Sequence, residues 1–126
     1  MNDINLMNKA ADNIRILAAS MVEKAKSGHP GGAMGGADFV NVLFSEFLVY
    51  DPKNPAWEGR DRYFQDPGHM SPMLYSVLAL AGKFTIDELK EFRQWGSVTP
   101  GHPEVNVMRG IENTSGPLGQ GHTYAV

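Results

Sequence analysis

The chain has 126 residues, of which 42% are hydrophobic and 20% are charged, and its formal net charge is −3. That length suits a single domain with one core, and the balance of apolar and charged residues excludes a disordered chain or a fibre. The lack of a basic excess argues against nucleic-acid binding, no apolar run approaches the ~20 residues of a membrane span, and the absence of cysteine excludes disulfides, thiol nucleophiles and cysteine-ligated metal.

The N-terminal segment predicts an amphipathic helix. Residues 1–5 lack the basic start and the apolar run of a signal peptide, so we expect a cytoplasmic protein. Apolar residues then recur at three- and four-residue steps, which predicts a helix from Asn5 to Lys26 that ends at Gly28. Five of the ten residues from 27 to 36 are glycine, which argues against a helix interior in that segment.

A second helix is predicted from Ala37 to Val49. Its inner face is expected to consist of Val40, Leu43, Phe44, Phe47 and Leu48. Further along, Tyr63–Gln65 is short, aromatic and flanked by turn formers, so we predict a strand there.

Two more helices are predicted in the second half of the chain. Ser71 is expected to be an N-cap, with a proline at the first helical position and the helix Met73–Ala81 behind it. Thr85 and Glu88 form a capping-box pattern, which predicts a short helix ending near Trp95.

The segment from 97 to 121 shows no strong periodicity, and a long stretch without regular structure is often functional. A second strand is expected near Val105–Val107, and the last five residues are typical of the first turn of a helix. One or two short strands cannot form a sheet, because their edges need partners. We therefore expect residues 1–126 to be a fragment of a larger chain.

Histidine is the residue type that stands out as a candidate for chemistry. All four histidines follow a glycine, and His29 and His102 are also followed by proline. Glycine allows unusual backbone angles and proline keeps the preceding residue out of the helical region, so Gly-His-Pro holds an imidazole on a stiff loop. Such a ring can donate, accept or titrate near neutral pH. The alternative is that each is simply an exposed or capping loop residue.

Other patterns give weaker signals. The histidines show no zinc-type spacing, so no metal site is predicted from them. The glycine-rich segment 116–121 leads into a predicted helix start, which favours either an anion site or a plain helix-entry loop. The carboxylates Asp87, Glu88 and Glu91 are interpreted as a solvated helix face. Nine aromatic residues are assigned to packing: Phe39, Phe44, Phe47, Tyr63, Phe64, Tyr75, Phe84, Phe92 and Trp95.

Five motifs, in order and in register from Ala11 to Gly121, resemble those of transketolases. They are Ser27–Gly31 with Ala33–Gly35, Asp61–Tyr63, Gly68–Ser71, Phe92–Trp95 running to Thr99–Glu104, and Glu112–Gly121. The resemblance implies a part of a three-layer α/β/α thiamine diphosphate-binding domain. The expected fold class is therefore α/β, with this fragment mainly helical and carrying one or two short strands.

The resemblance also implies an activity and residue roles. Transketolases of the pentose phosphate pathway move a two-carbon ketol unit from a ketose phosphate to an aldose phosphate, using thiamine diphosphate and magnesium. The resemblance places His69 at the cofactor diphosphate, and Gly116, Pro117 and Leu118 beside the cofactor rings. His29 and His102 become the substrate-facing and catalytic residues, contacting sugar hydroxyls and assisting proton transfer.

The sequence departs from the family pattern at two places. Asp66-Pro67 stands before Gly68-His69, where a serine followed by asparagine or lysine is usual. Met70 stands directly after His69, where a small residue is usual. Met70 is bulkier than that small residue, which bears on the shape of the pocket. His122 stands where an aliphatic or aromatic residue is usual, and we interpret it as a helix-start residue rather than a cofactor contact.

Two parts of the family's active site are absent from these 126 residues. The metal-binding Gly-Asp-Gly motif does not occur, and the activating glutamate belongs to another domain, with the active site formed between two subunits of a homodimer. We therefore expect the remainder of the chain and a second subunit as partners, and an isolated chain with negligible activity. The alternatives are a non-enzymatic helical module that pairs with a separate chain, and a sister enzyme such as dihydroxyacetone synthase.

Overall fold

The computed structural model describes residues 2–126, and within that range it is helical, with no strand. The prediction of a mainly helical fragment is confirmed, whereas the one or two short strands are not found. The α-helices are α1 (Ile4–Ala25), α2 (Pro30–Gly35), α3 (Ala37–Val42), α4 (Ser71–Leu80), α5 (Ile86–Lys90) and α6 (Gln120–Ala125), with a π-helical turn at Leu43–Phe47 and 3-10 turns at Gly68–Met70 and Val107–Arg109.

The first helix confirms its prediction to within one residue at each end. Asp3 is its N-cap, and the Asp3 carboxylate accepts the backbone N–H groups of Asn5 and Leu6, each at 3.0 Å. The helix ends where Lys26 takes a left-handed conformation with φ 51°. Its buried side packs against α2, α3 and α4.

The core lies between α1 and α4. Ile14, Ala18 and Met21 of α1 are buried against the almost wholly buried α4, and Phe84, Leu89 and Phe92 close the core from the following segment. Burial of this apolar surface is what holds the loops between the helices in fixed positions.

The glycine-rich segment after α1 is helical over Pro30–Gly35, so the prediction of a non-helical segment was wrong there. Packing explains the difference. A β-carbon on Gly32 would lie 3.0 Å from Met70 Cγ, and one on Gly36 would lie 2.6 Å from Met73 Sδ. The glycines therefore give space to two methionines, and this tertiary contact outweighs their poor helix propensity. The bulk of Met70 is accommodated in that space.

The strand predicted at Tyr63–Gln65 is absent because side chains take the place of a partner strand. The backbone N–H of Gln65 donates to Asn113 Oδ1 at 3.1 Å, and the Gln65 carbonyl accepts from Ser115 Oγ at 2.8 Å. The strand predicted near Val105–Val107 is reduced to a single antiparallel bridge between Asn106 and Ile111.

Several finer predictions on the remaining helices need correction. Ser71 is not the N-cap of α4: Met70 holds that position, because a 3-10 turn leads directly into the helix. The second predicted helix continues as a π-helical turn to Phe47, whose side chain is exposed. The capping box of Thr85 and Glu88 is confirmed, but α5 ends at Lys90 rather than near Trp95.

Three aromatic residues assigned to packing lie on the surface instead. Phe39, Phe47 and Trp95 are 64%, 70% and 104% exposed, respectively. Glu88 also differs from its prediction, because it is only partly exposed and accepts a hydrogen bond from the guanidinium of Arg109 at 2.7 Å.

The predicted terminal helix start is present as α6. Within residues 2–126, no helix combines the length and the apolar character that crossing a bilayer requires.

Candidate functional site

Three of the four histidines lie together, although they are far apart in sequence. The ring centroids of His29 and His69 are 4.6 Å apart. His102 packs against Gly68, the residue before His69, since a β-carbon on Gly68 would lie 3.1 Å from His102 Cδ2. The structure thus brings together the three imidazoles that the sequence singled out.

The position of His29 depends on the close packing of the residue before it. Gly28 has φ +132°, and a β-carbon there would lie 3.1 Å from Val22 Cγ2 and 3.2 Å from Phe92 Cε1. Only glycine suits this backbone and this gap. His29 itself is extended, with φ −123°, and Pro30 starts α2 directly behind it.

The N-terminal half of α4 positions the other two histidines. His69 lies in the 3-10 turn that leads into the helix. Ser71 Oγ donates to the Gly101 carbonyl at 2.7 Å, and the Tyr75 hydroxyl donates to the Pro100 carbonyl at 2.8 Å. These two bonds hold the chain immediately before His102 against α4, so one buried helix fixes the spacing of both rings.

The segment of residues 116–119, called here the cradle loop, lies beside the histidines. Ser115 donates its backbone N–H to the Pro103 carbonyl at 3.0 Å and its Oγ to the Gln65 carbonyl at 2.8 Å. A β-carbon on Gly68 would lie 3.0 Å from the backbone N of Gly116, so the two loops are in contact.

The cradle loop itself is open. A β-carbon on Gly116 would meet nothing within 4 Å, and Pro117 and Leu118 are both exposed, Leu118 by 74%. The predicted cofactor-binding residues Gly116, Pro117 and Leu118 therefore form an uncovered surface next to His69.

The family model described as the transketolase thiamine diphosphate binding domain matches residues 6–126. The chain belongs to the transketolase family. It is 53% identical over 122 residues to the transketolase of Buchnera aphidicola, covering 96% of this chain and 18% of that protein. It is 52% identical over 117 residues to transketolase 1 of Escherichia coli, with 92% and 18% covered.

Solved structures of transketolases share the fold. That from Campylobacter jejuni superposes with a TM-score of 0.89 at 48% identity, over 95% of this chain and 19% of that chain. A Pichia stipitis transketolase in complex with sedoheptulose 7-phosphate superposes with a TM-score of 0.87 at 45% identity, over 92% of this chain and 17% of that one. The chain thus spans about a fifth of the length of the transketolases it matches.

Within this transketolase segment, the electrostatic surroundings set the protonation of His102. Burial lowers the pKa of His102 most, and the positive charge of Arg93 and the neighbouring imidazoles of His69 and His29 lower it further. A lowered pKa keeps the ring neutral near pH 7, where it has both a donor and an acceptor nitrogen.

Arg93 is a site residue to which the sequence interpretation assigned no role. Its guanidinium donates to Ser27 Oγ at 2.8 Å, and a β-carbon on Gly101 would lie 2.8 Å from Arg93 Nε. Arg93 thereby bridges the two Gly-His-Pro loops. Its own φ of 62° is unusual for a residue with a side chain, which shows that the surrounding contacts determine its conformation. The signal in the sequence was its place in the fourth transketolase motif.

Among the residues that the structure describes, no cluster of three or more histidine or carboxylate side chains is arranged to hold a metal ion. His122 is on α6, with its Nδ1 3.3 Å from Asp66 Oδ2.

Proposed function

We propose that this chain is part of a transketolase that binds thiamine diphosphate and transfers a two-carbon ketol unit from a ketose phosphate to an aldose phosphate. The observation that carries the proposal is the meeting of His29, His69 and His102 with the cradle loop around Gly68, in a chain that belongs to this family.

The residues present fit the cofactor. A diphosphate needs hydrogen-bond donors, and His69 offers an imidazole that lies 4.6 Å, ring to ring, from that of His29. A flat heterocycle needs open space above a backbone without side chains, and Gly116 has such space on the side where a β-carbon would point.

We assign His69 to the diphosphate, where its N–H donates to a phosphate oxygen. Pro117 and Leu118 are assigned to the apolar wall beside the cofactor rings, and the Gly116 backbone approaches those rings closely. When bound, thiamine diphosphate supplies the nucleophilic thiazolium carbon and the electron sink, so the protein's task is to bind, orient and move protons.

His29 and His102 are the proposed substrate-facing and catalytic residues. Both rings stand on loops that proline stiffens, so little freedom is lost when a sugar hydroxyl binds. The lowered pKa of His102 supports a neutral ring that accepts a proton from a substrate hydroxyl and returns it. Positive charge on Arg93 disfavours the imidazolium form and so promotes the return of that proton.

The finer features of the proposal extend beyond this segment. We infer magnesium as the metal that accompanies the diphosphate, with ligands elsewhere in the polypeptide. We also infer a complete three-layer α/β/α domain, a homodimer whose second subunit completes the site, a cytoplasmic location and a place in the pentose phosphate pathway. Residues 1–126 are the proposed N-terminal fragment of that domain, and by themselves they are expected to give negligible ketol transfer.

The test separates cofactor from substrate in the full-length polypeptide that carries this segment. His69→Asn is expected to weaken thiamine diphosphate at least about tenfold, because a charge-assisted bond of about 1.5–3 kcal/mol is lost, while substrate KM changes little. His102→Asn is expected to lower kcat and leave cofactor affinity within about twofold.

Lys9→Ala, on the exposed side of α1, is the control variant. Wild-type affinity in His69→Asn, or no thiamine diphosphate binding by the full-length protein, would contradict the proposal. Acceptor profiling distinguishes a transketolase from dihydroxyacetone synthase. Co-purification with a separate Gly-Asp-Gly-containing chain would instead favour the helical module.

A further inference from the structure

The cradle loop is tied to one short segment of chain at both of its ends. At its upstream end, Ser115 Oγ donates to the Gln65 carbonyl at 2.8 Å, and the Gln65 N–H donates to Asn113 Oδ1 at 3.1 Å. At its downstream end, the Gly119 N–H donates to Asp66 Oδ2 at 2.9 Å. Adjacent residues, Gln65 and Asp66, therefore hold the two ends of the open Gly116–Leu118 surface.

Asp66 also contacts the first turn of α6. His122 Nδ1 lies 3.3 Å from Asp66 Oδ2. A β-carbon on Gly121 would lie only 2.4 Å from Asp66 Cβ, so glycine is needed at 121 for α6 to approach this side chain. The carboxylate thus meets Gly119, Gly121 and His122, all within four residues after the open surface.

The Asp66 side chain is only 9% exposed, whereas that of His122 is 85% exposed. Among residues 2–126, Asp66 Oδ1 has no hydrogen-bond partner. A buried carboxylate needs polar partners in place of water, so the contacts of Asp66 Oδ2 are the ones that hold the Asp66 side chain in position. This one-sided arrangement points the carboxylate at the downstream end of the cradle loop.

We propose that Asp66 is a positioning residue that fixes the downstream end of the cradle loop beside His69, with His122 as its second partner. The inference rests on the proposed function, since the loop is positioned for thiamine diphosphate. Asp66 stands three residues before His69, so it couples the loop to the diphosphate-facing ring. Two of the departures from the family pattern, Asp66 and His122, contact each other.

The first measurement needs no cofactor. In the full-length polypeptide, hydrogen exchange of the peptide spanning 116–124 is expected to accelerate several-fold in Asp66→Ala, because the Gly119 N–H loses its acceptor. Asp66→Asn keeps an acceptor oxygen and is expected to remain within about threefold of wild type. Asp87→Asn removes an exposed carboxylate from α5, remote from the loop, and is the matched control.

The second measurement is the dissociation constant of thiamine diphosphate with magnesium present. Asp66→Ala is expected to raise it at least about tenfold, with the ketose phosphate KM within about twofold of wild type, and Asp66→Asn is expected to recover most of the loss. His122→Ala is expected to raise it about two- to fivefold, because a polar contact made by a side chain that is 85% exposed contributes little. In the Asp66→Asn background His122→Ala is expected to add nothing, because the amide keeps the acceptor for the Gly119 N–H but replaces the carboxylate that His122 contacts.

Wild-type exchange and cofactor affinity in Asp66→Ala would overturn the inference, as would a fully additive effect of His122→Ala in the Asp66→Asn background. If Asp66→Ala does not fold, the Asp66→Asn and His122→Ala cycle decides alone. Faster exchange in a protein that binds no thiamine diphosphate would instead refute the proposed function while leaving the tie between Asp66 and the loop intact.

Discussion

Gly68 is the point where three parts of the site come closest, so Gly68→Ala tests whether they are packed together. The added β-carbon would lie 2.7 Å from Ser115 Oγ, 3.0 Å from the Gly116 backbone N and 3.1 Å from His102 Cδ2. All three contacts are shorter than the 3.4 Å at which ordinary contacts begin. The methyl group must therefore push the cradle loop and the His102 loop away from His69.

The expected cost follows from what can move. Ser115 Oγ would have to retreat by about 0.7 Å to reach 3.4 Å, but it is held by its bond to the Gln65 carbonyl. Overpacking of this kind costs about 1–3 kcal/mol, and loss of the Ser115 hydrogen bond adds about 1 kcal/mol. We expect Gly68→Ala to lose about 2–4 kcal/mol of stability and to weaken thiamine diphosphate at least about tenfold.

The assay compares two glycine-to-alanine variants in the full-length polypeptide, by thermal unfolding and by titration with thiamine diphosphate. Gly35→Ala is the matched control, because a β-carbon on this exposed helical glycine meets nothing within 4 Å. Its stability is expected to be unchanged or raised by up to about 1 kcal/mol, from the better helix propensity of alanine. Equal behaviour of the two variants would refute the reasoning that Gly68 is the contact point of the three loops.

Three further predictions follow from the charged groups. Arg60 and Glu112 form a bidentate ion pair with bonds of 2.7 and 2.9 Å, and their side chains are 8% and 9% exposed. Glu112→Gln is expected to cost about 3–5 kcal/mol of stability, measured as a fall in Tm. Apolar replacement of both partners is expected to recover most of the lost stability. Arg93→Met removes a cation that lowers the pKa of His102, so an NMR titration is expected to show a higher His102 pKa in this variant. An unchanged pKa would contradict the electrostatic effect assigned to Arg93. The Arg109 guanidinium, which donates to Glu88, lowers the pKa of the Glu88 carboxyl to about 2. The stabilisation from this ionised carboxylate is therefore full above about pH 4.5 and is lost as the pH falls towards 2. Glu88→Gln is expected to reduce the fall of Tm with pH over this acid range.

The sequence alone predicted most of the helices, since their signals are local. The periodic apolar residues of α1 and the capping box of Thr85 and Glu88 each depend on residues within one or two turns, and both predictions are confirmed. The family was also evident from the sequence, because five motifs in register constrain it far more tightly than any one glycine run.

Predictions that depended on distant partners were the ones that failed. Tyr63–Gln65 looks like a strand, but its backbone bonds go to the side chains of Asn113 and Ser115, some fifty residues away. The glycines of Pro30–Gly35 look like a loop, but the methionine at 70 fills the space they leave and a helix results. Local propensity cannot anticipate either partner.

The sequence by itself determined that stiff loops carry imidazoles and that a glycine-rich loop precedes a helix start, since glycine and proline act on the backbone where they stand. Only the tertiary structure decided that His29, His69 and His102 share one place, that Arg93 bridges two of their loops, and that Asp66 meets Gly119 and His122. The physical reason is that burial of α4 against α1 sets these distances, and burial is a property of the folded chain as a whole.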